Sequence, residues 1–323
     1  MHSNLKLHIY HEMLKARILE ERLIYMFKQN YGFFWIGGPG EEALNVPLGL
    51  QIKKGRGLNY DYFHPHYRSS AVLLAMGMDP IDPIRQMKNT ALDKHTGGRN
   101  FVNFCSIPEW NVLPVRAPVE TQYLVAIGTG IAQSTAGCEG ITIVSGGDAG
   151  TAEGDFASCL IWSSRPNKEL PILMIITNNG GGISTEAKTQ HGEKNMADRA
   201  TAFGIKINII DGNDPEASYA ALQEAMHYVR SQRKPFLLEA KVSRLYGHSS
   251  ASGANYQNEE DPIQRFEAKL LHEKLITPVE IKKIREEYAQ YCRSLFEQVL
   301  LEPQPPRHSI YDYTYWNQTG KYW

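Results

Sequence analysis

The chain has 323 residues, 42% hydrophobic and 21% charged, enough for one large domain with a sizeable core. A formal net charge of −1 argues against a polyanion partner such as nucleic acid. Cys105, Cys138, Cys159 and Cys292 form no Cys-x-x-Cys pair and read as reduced structural thiols of a cytoplasmic protein, and no run reaches the roughly 18 apolar residues that span a bilayer.

The first 30 residues read as a helix, with Ile9, Met13, Ala16, Leu23 and Phe27 near a 3.6-residue period. Residues 32–40 are a loop rich in Gly and aromatics, 41–50 a short helix, 59–68 a dense polar-aromatic stretch, and 71–78 a helix ending at Asp79-Pro80. Residues 89–121 show little periodicity, and irregular segments of that length are usually functional or at interfaces. A helix is expected over 123–136, where Gly128 and Gly130 admit close approach of another backbone. Strands expected at 141–145, 172–177, 205–210 and 236–242 alternate with helices at 152–163, 193–203 and 215–230. That rhythm predicts an α/β fold, a mostly parallel, doubly wound sheet flanked by helices.

Past residue 262 the chain turns helical. Thr277-Pro278-Val279-Glu280 is a capping box, and Ile281, Ile284, Tyr288, Tyr291, Leu295 and Val299 follow as one apolar stripe. Pro303 to Pro306 ends the last helix. The expected organisation is a single domain over 1–300 with a helical C-terminal extension. A tail over 301–323 carries Tyr311, Tyr313, Tyr315, Trp316, Tyr322 and Trp323, and is expected to pack on its own domain or another subunit.

Two strand-like runs end in candidate ligands. Residues 141–147 lead to Asp148, and residues 172–178 lead to Asn179 and Gly180-Gly181. Ligands bind outside the carboxyl ends of strands in open α/β sheets. A carboxylate, an amide oxygen and the Gly181 carbonyl beside Gly-rich backbone suit Mg²⁺ carrying a diphosphate. Three further stretches carry chemistry. His248, in Arg244-Leu245-Tyr246-Gly247-His248-Ser249, can donate or accept a proton near neutral pH. Arg68, in His64-Pro65-His66-Tyr67-Arg68, has the fork that suits a diphosphate, whereas the two histidines lack the further ligands a zinc site needs. Ala117-Pro118-Val119-Glu120-Thr121-Gln122 precedes a helix.

Gly147-Asp148 followed about thirty residues later by Asn178-Asn179 resembles the thiamine diphosphate fingerprint, Gly-Asp-Gly then Asn-Asn. From about residue 9 to residue 300 the chain is similar to the alpha subunit of the decarboxylating first component of 2-oxo acid dehydrogenase complexes, most of all the branched-chain (2-oxoisovalerate) type. Ala152-Glu153-Gly154-Asp155, residues 178–185 and Asp211-Gly212-Asn213-Asp214 carry that closer likeness. The resemblance implies a thiamine diphosphate-binding fold with Mg²⁺ held by Asp148, Asn179 and Gly181. It implies cofactor contacts from Tyr67, Arg68, Val119, Gly147, Asp148, Ala149, Asn179, Arg244 and His248, with His248 as the active-site histidine. It further implies decarboxylation of a 2-oxo acid and acyl transfer to the lipoyl group of an acyltransferase core.

The family's activating glutamate comes from a separate beta subunit, so the resemblance implies a heterotetramer of two alpha and two beta subunits. The 89–121 segment and the 123–136 helix are candidate interface elements. Ala149 stands where the family has its second glycine, Tyr246 where it has a first histidine, and Gln257 where it commonly has arginine. The alternatives are an acetoin- or pyruvate-type alpha subunit, or a non-catalytic homologue that keeps the fold. A dinucleotide-binding oxidoreductase lacks its Gly-x-Gly-x-x-Gly.

Overall fold

A computed structural model describes residues 1–183 and 185–312. Helix α1 (Ser3–Lys28) buries Ile9, Tyr10, Met13, Leu14, Leu19 and Leu23, each worth about 1.5–3 kcal/mol when removed from water. Its Arg17 is buried, binds Glu42 through two nitrogens (2.7 and 2.9 Å) and Asp261 through a third (2.8 Å), and so ties α1 to two other helices. These are α2 (Glu42–Gln51), which begins at Glu42, and α10 (Pro262–His272), whose first turn Asp261 caps.

Five strands form one parallel sheet: β1 (Tyr62–His64), β2 (Thr142–Gly147), β3 (Ile172–Asn178), β4 (Lys206–Asp211) and β5 (Phe236–Lys241), in the order β1-β2-β3-β5-β4. The expected strands fall within about two residues of these bounds. Every residue of β3 is buried, which is why its sequence is a continuous apolar run rather than an alternating one. Ile143, Leu173, Ile175 and Leu238 face the larger core. That core is shared with α1, α2, α3 (Ser70–Ala75), α4 (Ile81–Lys88), α9 (Pro215–Gln232), α10 and α11 (Pro278–Leu300). Val144, Met174, Ile176 and Leu237 face the second core, under α5 (Thr121–Thr135) and α6 (Gly154–Ser163). Helices therefore cover both faces, as the alternating rhythm requires.

Some expectations need correction. Strand β1 hides in the polar-aromatic stretch because it is only three residues long. The helix expected over 193–203 does not form. Within it the chain has only one short helical turn, α8 (Asp198–Thr201), and another, α7 (Ala187–Gln190), lies just before it. Ala197 N donates to buried Glu239 on β5 (2.8 Å) and Asn195 N to Asp198 (3.2 Å), bonds that divert the backbone from a helical ladder. Helix α4 was not foreseen. Its Pro83 lies in the first turn, where a missing N–H breaks no helical bond.

Of the two glycines on α5, Gly130 packs on Ile172 whereas Gly128 faces open space. The capping box at Thr277 forms reciprocally with Glu280, at 3.3 and 2.8 Å. On α11 the buried set is Cys292, Leu295, Phe296 and Val299; Tyr291 is exposed. Arg99 fastens the chain after α11 by donating to the carbonyls of Ser309 and Asp312, and Tyr311 is exposed. Tyr313, Tyr315, Trp316, Tyr322 and Trp323 lie outside the described residues. Among the described residues no helix is long and apolar enough to cross a membrane.

Candidate active site

Strands β2 and β3 end level with one another, Gly147 pairing with Thr177. Asp148 and Asn179 thus emerge side by side at the carboxyl edge. The two asparagines of the pair divide sharply. Asn178 is spent on structure: its amide donates to Glu239 (2.7 Å) and its oxygen accepts from Gly180 N (3.0 Å). Asn179 Oδ1 is buried without a partner, and so is Asp148 Oδ2. A buried acceptor without a donor costs about 1–3 kcal/mol, and more when charged. Burial also raises the Asp148 carboxyl above its ordinary range, as expected of an anion lacking its counter-ion. Two orphaned oxygens at adjacent strand ends are what a hard cation would satisfy, so the donor set fits Mg²⁺.

Donors lie beside these acceptors. Arg244, just past β5, is half-buried and its Nε is an orphan. Its Nη1 makes long bonds to the carbonyls of Gly181 (3.3 Å) and Gly182 (3.4 Å). Arg68 is 4% exposed; it donates to the Gly37 carbonyl and to His248 Nδ1 (3.2 Å), and its Nε lies 3.7 Å from Glu41. Burial and neighbouring Glu42 and Asp148 push Glu41 up to about 7, against the pull of Arg68. Tyr67 packs edge-on to His248 and under the Arg68 guanidinium.

The partnership of Arg68 with His248 settles the imidazole's state. A guanidinium only donates, so Nδ1 accepts and the ring hydrogen is on Nε2. Burial, Arg68 and Arg244 lower the His248 pKa to about 4. His248 is therefore a neutral Nε2–H donor at physiological pH, a poor proton acceptor but a good polariser of developing negative charge. Its loop is zipped to residues 35–39: Leu245 N donates to Pro39 O (3.0 Å), Ser250 N to Trp35 O (2.8 Å) and Trp35 N to Ser250 Oγ (3.1 Å). Trp35 Nε1 is in turn held by Glu20 of α1 (2.8 Å).

Sequence reasoning missed Glu120. It is buried, in the left-handed region at φ +61°, directly after Val119 and at the start of α5. One carboxyl oxygen accepts from Gly147 N (2.9 Å), the other from the Gln122 amide (2.9 Å). A Cβ at Gly146 or Gly150 would lie 2.0 or 2.1 Å from those oxygens, so the two glycines form the notch that holds the carboxyl. Burial, Asp148 and Glu153 raise its pKa to about 8 despite the Gly147 bond. The available signal was a lone Glu between Val119 and Thr121, at a helix start facing a Gly-rich strand end. Val119 itself is exposed at this edge.

The departures from the family motif find physical places. Ala149 opens a turn of 3-10 helix (Ala149–Ala152) and is not among the positive-φ residues, so its methyl causes no left-handed strain. A Cβ at Gly182 would come 3.3 Å from the Ala149 methyl, so space given up at one position is recovered at the other. Tyr246 stacks edge-on against Trp35 and Tyr256 and reaches Glu21 (3.4 Å), and Gln257 is exposed. His64 bonds Thr129 (2.8 Å) while His66 lies against Gly147, and among the described residues no group of three or more His, Cys, Asp or Glu could hold a metal. A cavity of about 350 Å³ between α1, α3 and α11, with Leu19, Leu74 and Cys292 in its wall, shares no residue with this edge.

Residues 10–308 match the family described as "Dehydrogenase E1 component". The pyruvate dehydrogenase E1 component subunit alpha of Mycoplasma pneumoniae (strain ATCC 29342 / M129 / Subtype 1) is 26% identical over 95% of this chain and 84% of its own length. The 2-oxoisovalerate dehydrogenase subunit alpha of Bacillus subtilis (strain 168) is 26% identical over 95% of this chain and 94% of its own. The mitochondrial 2-oxoisovalerate dehydrogenase subunit alpha of Homo sapiens is 25% identical over 96% and 70%. With a parallel sheet flanked by helices and a match that runs almost end to end, the chain belongs to the dehydrogenase E1 component family.

Proposed function

We propose that this chain is the alpha subunit of a thiamine diphosphate- and Mg²⁺-dependent 2-oxo acid dehydrogenase, cytoplasmic, acting on a branched-chain 2-oxo acid and passing the acyl group to a lipoyl acyltransferase core. The observation that carries this reading is the pair of orphaned buried oxygens, Asp148 Oδ2 and Asn179 Oδ1, beside the orphaned Arg244 Nε. Acceptors without donors call for a cation, and a donor without an acceptor calls for an anion. A metal diphosphate supplies both.

When bound, the cofactor supplies the electron sink that lets a 2-oxo acid lose carbon dioxide. The protein's part is to bind, orient and polarise. Asp148, Asn179 and the Gly181 carbonyl are assigned to the cation. Tyr67, Arg68, Gly147, Ala149 and Arg244 are assigned to the diphosphate, and Val119 to the rings. His248 would offer its Nε2–H to negative charge developing at the substrate oxygen. Glu120 does not take the place of the activating carboxylate. It lies under the loop, bound to Gly147 N. That carboxylate is expected from a beta subunit.

A partner is also favoured by the surface. Leu124 and Ile131 of α5, Ile161 and Trp162 of α6, Val119 and Ile183 are all exposed. A Cβ at Gly128 or Gly154 would meet nothing within 4 Å. Large apolar side chains beside open glycines mark a face built for another protein.

Native mass spectrometry of the chain purified from its own cells tests this. The expected mass fits two copies of this chain, two of a second protein and two thiamine diphosphates. The complex should then decarboxylate 2-oxoisovalerate faster than pyruvate. A cofactor-free monomer or homodimer would overturn the assignment, and a preference for pyruvate would overturn only the substrate.

A further inference from the structure

One buried, unpartnered donor near this edge is left unused by the assigned residues. After Asn179 the chain doubles back: Gly182 N donates to Thr185 O (2.8 Å) and Ala187 N to Gly180 O (2.9 Å). The following residues clamp the turn that starts at Ala149. Gln190 Nε2 donates to the Ala149 carbonyl (3.0 Å), and Arg199 Nη1 to the Thr151 carbonyl. His191 sits between these two clamps, its side chain 2% exposed. Its Nδ1 lies 2.8 Å from Arg199 Nη2. Glu193 also pairs with Arg199, and its Oε1 is 3.5 Å from the same ring nitrogen.

Because a guanidinium can only donate, Nδ1 is the acceptor and the ring hydrogen is on Nε2. That Nε2 is buried and has no partner. Asp148 is within its electrostatic reach. The ring is thus locked by Arg199 as an obligate donor next to the Asp148 turn, on the 187–199 side of the edge. A donor fixed in this way is worth its burial only when an acceptor arrives.

Resting on the function proposed above, we propose that His191 is a further anchoring residue of the site, donating its Nε2–H to the outer phosphate of the diphosphate. Arg199 is its positioning residue, holding the tautomer. The acceptor is the incoming anion rather than Asp148, whose free oxygen is committed to the cation. No proton is transferred; the bond is one of ground-state recognition, and it selects a diphosphate over a monophosphate.

The test uses the complex of this chain with its beta partner, stripped of cofactor. Titration calorimetry with thiamine diphosphate and with thiamine monophosphate, each with Mg²⁺, is run on the unaltered complex, on His191→Phe and on His191→Gln. Phe keeps the ring volume without the N–H, and the Gln amide reaches toward the outer ring nitrogen. Losing one bond to a charged oxygen should weaken thiamine diphosphate about 10- to 100-fold in His191→Phe. Thiamine monophosphate should change by less than about threefold, since a bond not made cannot be lost. His191→Gln should recover most of the loss.

Equal binding of thiamine diphosphate by His191→Phe and the unaltered complex would overturn the inference. So would an equal loss of both ligands, or a failure of His191→Gln to recover anything, each of which marks a structural histidine. Failure of the unaltered complex to bind thiamine diphosphate is a different result, which overturns the proposed function and this inference with it.

Discussion

Glu120→Gln isolates the electrostatics of the turn beneath Asp148. In the folded chain burial raises this carboxyl to about 8, against an ordinary value of 4.5. Between those two pH values the folded chain keeps a proton that the unfolded chain has released. Stability from this group is therefore full below pH 4.5, falls as pH rises, and is flat again above 8. Each pH unit of that window is worth about 1.4 kcal/mol, so the ceiling is about 5 kcal/mol. Relaxation around the ionised carboxylate reduces this, and about 2 kcal/mol is the expected change. For a chain of 323 residues that is about 3 °C in Tm.

The variant keeps an oxygen for Gly147 N but turns an amide nitrogen toward the Gln122 amide, which donates to Glu120 in the parent. That mismatch removes about 1 kcal/mol at every pH. The two Tm curves, measured by calorimetry on the cofactor-free chain from pH 5 to pH 9, should therefore cross. The parent should be more stable at pH 5 and the variant at pH 9. Glu41, raised to about 7, titrates in the same window but is common to both proteins and cancels in the difference. Parallel curves would refute the reasoning, for they would mean that Glu120 ionises in the fold as it does in water.

Asp148→Asn should abolish most Mg²⁺-dependent thiamine diphosphate binding, by at least about tenfold in calorimetry, because a charged ligand to the cation is lost. The same substitution should leave the Tm of the cofactor-free chain equal or higher, since it removes a buried orphaned carboxylate. His248, lowered to about 4, should give the Nε2–H tautomer in ¹⁵N NMR throughout pH 6 to 8. In the unfolded chain it titrates near 6.5, so acidification from 6.5 toward 4 protonates the unfolded state first and lowers stability; His248→Gln should remove that slope from a Tm series. A His248 signal that titrates near neutrality would refute its assignment as a neutral donor.

Most of the fold was legible because it is periodic. Strand β3 is a run of apolar, β-branched residues bounded by Pro171 and the asparagine pair, and α11 begins at a capping box. What was not legible depends on contacts made across long separations. The stretch before α8 has helical composition, yet its backbone is claimed by Glu239 of β5. Strand β1 exists through its pairing with β2 rather than through its own residues.

The site divides in the same way. Strand ends next to glycines announced Asp148 and Asn179, but not what keeps the neighbouring Asn178 out of the site; that is Glu239 taking the Asn178 amide. An Arg four residues before a His was visible at Arg244 and His248, but the arginine that fixes the imidazole tautomer is Arg68, 180 residues away. Ala149 in place of glycine is accommodated in ways a motif does not show: it opens a 3-10 turn without a positive φ, and its methyl lies where a side chain at Gly182 would crowd it. For Glu120 the sequence offered only a lone Glu at a helix start. Its notch is formed by Gly146 and Gly150, and only their position over the carboxyl separates a surface glutamate from a buried acid with a pKa of about 8. Sequence spacing thus locates the ligand-bearing strand ends, while the partner of each donor and acceptor decides what the residue there can do.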